Sequence, residues 1–181
     1  GRYVIAYVPF DGVFLPHLLN QCSLTEKQSV GLIIKLLRLL SYCHKKGVIH
    51  GAIHPACLFV NVDTDEIRVM GFQSQFYGLT SSYHKKIFDW CYFMYFSSQK
   101  MGCVPLKEHY SQDMYSVGML LYRLLFNEAL FPDIVSYGSY QNQLFSKSLL
   151  LASLSKGSSH RLYPALLRLL GLGDACPYRS S

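Results

Sequence analysis

His50, His54 and Cys57 form a His-x3-His-x2-Cys run, and these are the side chains of zinc sites and of thiol nucleophiles. A structural zinc ion needs four converging ligands, and the sequence offers no fourth at a recognisable spacing. A Cys57–His54 nucleophile would need an acid to orient the imidazole and donors for an oxyanion, and neither can be identified. The residue types thus favour a structural role for all three.

The elements expected to position this run can be read on either side of it. Tyr3 to Val8 is β-branched and aromatic and predicts a strand, ended by the turn Pro9-Phe10-Asp11-Gly12. Val13 to Leu19 predicts a short helix. Thr25-Glu26-Lys27-Gln28 has capping-box spacing and opens a helix from Glu26 to about Lys46, stopped by Gly47. At about 100° per residue the apolar side chains of this helix cover most of its circumference, which predicts burial nearly all round. Lys27, Lys35, Arg38, Lys45 and Lys46 fill the remaining stripe, expected to be a solvated face. Beyond the run, Leu58 to Val62 and Ile67 to Met70 flank the turn Asp63-Thr64-Asp65-Glu66 and predict a β-hairpin.

With 181 residues, half of them hydrophobic and 15% charged, the chain can bury a sizeable core, and disorder is disfavoured. The net charge of +6 permits contact with nucleic acid, anionic lipid or an acidic protein. Lys45-Lys46 and Lys85-Lys86 are the basic doublets, without an Arg-rich run or a Gly-aromatic RNA motif, so there is no strong nucleic-acid signal. Six cysteines without a Cys-x-x-Cys pair fit a reducing intracellular, cytoplasmic compartment better than a disulfide framework. No segment is long and apolar enough for a transmembrane span or has the form of a signal peptide. The chain starts at Gly1 rather than methionine, as a piece of a longer product would.

Val48-Ile49-His50-Gly51-Ala52-Ile53-His54-Pro55-Ala56-Cys57-Leu58-Phe59-Val60 resembles the catalytic loop of the eukaryotic protein kinases, roughly Val-Ile-His-Arg-Asp-Ile-Lys-Pro-x-Asn-Leu-Phe-Val. His50, Ile53, Pro55 and Leu58 to Val60 match the frame. At the chemical positions Gly51 stands for the arginine, Ala52 for the catalytic aspartate, His54 for the lysine and Cys57 for the metal-binding asparagine. Gly71-Phe72-Gln73 sits where the family has Asp-Phe-Gly, and keeps only the phenylalanine. Gln112 to Leu125 is similar to the family's Asp-x-Trp-Ser-x-Gly-x-x-Leu-x-x-Leu-Leu helix. Asp174-Ala175-Cys176-Pro177-Tyr178-Arg179 resembles the closing Asp-Pro-x-x-Arg, with Glu108 as the nearest partner for Arg179. The resemblance is to the large lobe throughout; the glycine-rich loop, strand lysine and partner glutamate of the small lobe have no counterpart.

The resemblance implies a mainly α fold with a small β-hairpin, a kinase-like C-terminal lobe over residues 1–181. It places a hinge strand at 3–8, the degenerate catalytic loop at 48–60, the degenerate triplet at 71–73, the activation-segment equivalent at 74–105 and an anchoring helix at 113–125. It implies that His50 and Phe72 stack in an internal hydrophobic column and turn His50 away from any zinc site. Asp113, at its helix start, would accept hydrogen bonds from amides of the His50 loop. Phosphoryl transfer depends on positioning and on charge neutralisation. Ala52 cannot accept a proton, Cys57 is a soft donor for magnesium and Gly71 has no side chain, so the expectation is a pseudokinase without cofactor or metal. Without an arginine at Gly51, a phosphate on the activation segment would lack its receiver.

Ile87 to Phe96 lies in the activation-segment position, yet one aspartate interrupts nine apolar or aromatic residues. Trp90, Tyr92, Phe93, Tyr95 and Phe96 either pack on their own domain or dock a protein partner. The reading is a non-catalytic scaffold or protein-protein interaction module, a subunit of an assembly or an allosteric regulator. The rivals are a divergent nucleotide-using transferase with His54 as acid or base, and a basic RNA- or membrane-associated accessory factor.

Overall fold

A computed structural model describes residues 8–51, 53–72, 106–131 and 151–172. Val13 and Phe14, the start of the expected short helix, instead form a two-residue strand, β1 (Val13–Phe14). The helix α1 (Leu15–Gln21) begins only after them, with Pro16 in its first turn. Proline is tolerated there because the first amides of a helix have no partner to lose. The β-branched and aromatic pair before it finds a sheet edge: Val13 lies opposite Val60 and Phe14 opposite Phe59 of β2 (Leu58–Asn61). β2 also pairs antiparallel with β3 (Glu66–Val69), from Leu58 opposite Val69 to Asn61 opposite Glu66. The expected hairpin is therefore the larger part of a three-stranded sheet in the order β1-β2-β3. Its turn is closed by the Asn61 side-chain carbonyl, which accepts from the amides of Asp63 (2.9 Å) and Thr64 (3.0 Å).

Helix α2 (Glu26–Lys45) starts on the capping box that the sequence spells out. The Gln28 amide donates to Thr25 Oγ1 at 3.3 Å, and the Thr25 amide donates to Gln28 Oε1 at 2.9 Å. The expectation that α2 is buried all round is corrected. Ser29, Leu32, Ile33, Leu36, Leu40 and His44 are buried, while Ile34 and Tyr42 on the far side are exposed. Lys35 leaves the basic stripe to pair with Asp65 in the β2–β3 turn. The helix surrounded by protein is instead α3 (Leu106–Phe126), in which every residue from Gln112 to Tyr122 is buried. Its polar members are satisfied locally: the Ser116 hydroxyl donates to the Gln112 carbonyl at 2.9 Å. α3 also begins earlier than expected, so Asp113 lies two turns inside it rather than at its start. Between Pro105 and Asp113 the sequence holds no glycine or proline to stop the helix.

The last helix among the described residues, α4 (Tyr163–Leu169), packs across α3 where Gly118 clears the way. A Cβ on Gly118 would lie 2.9 Å from Leu170 Cδ2 and 3.0 Å from Leu169 Cβ, the latter fixed to the backbone. Gly118→Val is therefore expected to lower stability by about 1–3 kcal/mol through overpacking. Gly31→Ala in α2, where a Cβ meets nothing within 4 Å, should raise it by up to about 1 kcal/mol. Parallel urea titrations of the two variants check the pair. Around α3 the core continues through Leu15, Ile53, Leu58, Leu154 and Leu166, all fully buried. Among the described residues no helix is long and apolar enough to cross a membrane. Residues 3–7 of the hinge strand, Ala52, residues 73–105 with Trp90, Tyr92, Phe93, Tyr95 and Phe96, and Arg179 lie outside the described residues, as does the side chain of Glu108.

Candidate functional site

The loop from Val48 to Cys57 is held from below by one carboxylate. Asp113 is fully buried in α3. Its Oδ2 accepts the His50 amide at 3.0 Å and its Oδ1 accepts the Gly51 amide at 2.8 Å. The sequence names Asp113 for this role. It does not name the third partner, His44 Nε2, which lies 2.8 Å from Asp113 Oδ2. His44 is the last buried position of the stripe Leu36, Leu40, His44 on α2, so a polar residue at a core-facing position is the available signal. The ring of Tyr110 covers His44 at a centroid distance of 4.5 Å. Gly51 takes a φ of +76°, a left-handed backbone that glycine adopts without steric cost.

His50 is fully buried, and its imidazole is engaged with the Met70 carbonyl. Nε2 donates to the Met70 carbonyl at 2.8 Å, which fixes the proton on that nitrogen because a carbonyl can only accept. Burial holds its pKa below the usual histidine value, against the opposing pull of Asp113 and of the Met70 carbonyl. Phe72 meets the ring edge-on, with centroids 4.6 Å apart and planes at 61°, rather than in a parallel stack.

Cys57 and Gly71 close the same small volume. A Cβ on Gly71 would lie 3.7 Å from His50 Cε1 and 4.0 Å from Cys57 Cβ, so the three positions pack together. Cys57 is bound into the backbone on every side. Its amide donates to the His54 carbonyl at 3.0 Å, its carbonyl accepts the Met70 amide at 2.8 Å, and its sulfur accepts the His54 amide at 3.4 Å. Burial pushes its thiol up to about 12, so it is neither a thiolate nucleophile nor a ready metal ligand. His54 is pushed down to about 4, first by burial and then by the neighbouring His50, and is neutral at pH 7. Among the described residues no group of three or more His, Cys, Asp and Glu is placed to hold a metal ion.

The outer side of the sheet borders this loop. Phe14 and Phe59 pack against each other with ring centroids 3.8 Å apart and planes tilted by 40°. Next to them Arg68 lies 4.8 Å from the centre of the Phe10 ring and donates to the Val8 carbonyl at 2.9 Å. Phe14 is 46% exposed and Val8 72%, so both present apolar surface to solvent.

The geometry agrees with what comparison with known proteins finds. The family model of the protein kinase domain matches residues 3–162. The chain is 26% identical over 121 residues to mitogen-activated protein kinase 14 of Xenopus laevis, across 67% of this chain and 32% of that protein. It thus spans about a third of the length of that curated relative. From the amide cradle of Asp113 to the family match over residues 3–162, the findings assign this chain to the protein kinase domain family.

Proposed function

We propose that the chain is a catalytically inactive kinase-like lobe, a pseudokinase, that works by binding other proteins. One observation carries this reading: buried hydrogen bonds hold the frame of the loop while the described groups at its chemical positions carry no charge. The Asp113 cradle and the His50–Met70 bond fix the backbone. Within that frame Cys57 is a buried neutral thiol, His54 is a neutral imidazole and Gly71 has no side chain. Magnesium requires hard oxygen donors, and these residues do not fit it. A phosphoryl group passing to an acceptor needs cations beside it and a carboxylate near the hydroxyl. Ala52 cannot supply the carboxylate, and a histidine that stays neutral down to about pH 4 cannot supply the charge.

The same property weighs against the transferase reading. At neutral pH His54 has no proton to give as a general acid, and its low basicity makes it a poor base. Protein binding draws support from the exposed apolar side chains of Val8 and Phe14, and from the aromatic run with Trp90, Tyr92, Phe93, Tyr95 and Phe96 as partner anchors. A scaffold or regulatory subunit of a larger assembly, in the cytoplasm, is the role that fits.

Differential scanning fluorimetry of the chain with ATP, alone and with magnesium or manganese, tests the proposal. The expected result is no metal-dependent rise in melting temperature. A rise that needs the metal, or transfer of label from ATP to a protein substrate, overturns it.

A further inference from the structure

We propose that the outward face of α2 is a docking surface for an acidic amphipathic helix of a partner protein. The inference goes beyond the inactive-groove reading, because it does not depend on the chemistry of the groove. With one side of α2 buried through Leu32, Leu36 and Leu40, a rotation of about 100° per residue puts Lys27, Gly31, Ile34, Arg38, Tyr42 and Lys45 on the opposite side. Ile34 is 43% exposed and Tyr42 is 66% exposed. They stand eight residues apart, about 12 Å along the axis, with Arg38 midway on the same i, i+4 ridge. A Cβ on Gly31 would meet nothing within 4 Å, so the surface dips one turn before Ile34.

Charge identifies the occupant. Lys27, Arg38 and Lys45 form no ion pair with an acid among the described residues. Among the described residues Glu26 is engaged by Arg161 and His160, Asp65 by Lys35, and Asp113 by His44 on the buried side of the helix. Cations alone would make a solvated face. An isoleucine and a tyrosine set between cations that pair with no acid among the described residues make a surface with two apolar anchors and a cationic border, which is the pattern of an interface. A single straight ridge fits the groove of a second helix. An anionic bilayer would call for a broader apolar face than two side chains provide. The partner segment therefore carries two large apolar side chains to flank Arg38 and Asp or Glu opposite Lys27, Arg38 and Lys45.

Fluorescence anisotropy of the full chain tests this with a labelled helical peptide of about 20 residues built to that pattern. The expected result is binding that weakens about tenfold or more in Ile34→Ser/Tyr42→Ser. Binding should also be lost in Lys27→Glu/Arg38→Glu/Lys45→Glu, and return to that variant when the peptide's acids are changed to lysine. All five positions are outside the core, so circular dichroism should show both variants folded. Failure of the parent chain to bind at millimolar peptide, or equal binding by parent and variants, overturns the proposal. So does an outcome in which phosphatidylserine vesicles bind the parent chain and the peptide does not.

Discussion

Asp113→Ala is expected to lower the melting temperature of this chain by roughly 10 °C. The carboxylate is fully buried and takes three donors: the His50 amide, the Gly51 amide and His44 Nε2, at 3.0, 2.8 and 2.8 Å. Alanine leaves all three facing a small void. A buried donor left without its acceptor costs about 1–3 kcal/mol. With the larger figure as the whole effect and about 2–4 °C per kcal/mol for a domain of this size, a shift near 10 °C follows. Asp113→Asn keeps the shape and one acceptor oxygen but turns an NH2 group toward a donor, so it should recover only part of the loss. Asp63→Ala, on the exposed turn, should stay within about 0.5 kcal/mol of the parent. Hydrogen exchange gives a local readout, since the His50 and Gly51 amides should lose protection in the alanine variant before the α2 amides do. Unchanged protection at those two amides would mean that Asp113 does not hold the loop.

The legible parts of this fold are those in which one residue type answers one local need. Thr25 and Gln28 satisfy each other's amides across a helix start, so their spacing alone marks the first turn of α2. Asp113 is legible through the resemblance, because a buried acid beneath a loop of free amides has few other uses. Illegible parts depend on which surface covers which. Val13 and Phe14 suit the first turn of a helix or the edge of a sheet, and only the presence of Val60 and Phe59 alongside decides it. Ile34 and Tyr42 are as apolar as Leu36 and Leu40, yet nothing in composition says that α3 covers one side of α2 and leaves the other bare. The state of Cys57 and His54 is hidden for the same reason. Their types suggest ligands or a nucleophile, and burial makes them neither.

Acid should destabilise this chain in a window set by His54. In the unfolded chain its imidazole titrates at the ordinary histidine value near 6.5, and in the fold at about 4. Between those values the unfolded state binds more protons, so stability falls as pH drops. Above about pH 6.5 the imidazole is neutral in both states and the fold loses nothing; below about pH 4 the loss is complete. A shift of this size corresponds to about 3 kcal/mol. His50 contributes in the same direction, since burial also holds it below the usual value. Urea midpoints measured from neutral pH down to about pH 4 should therefore decline, and His54→Gln, which cannot titrate, should decline less. The difference between the two curves isolates His54 from carboxylates that begin to protonate near the lower limit. The outcome bears on function as well as on stability. Identical slopes would mean that His54 titrates in the fold as it does in water. A protonated imidazole could then stand beside a phosphate on the site of the family's lysine, and the case for an inert groove would lose one of its supports.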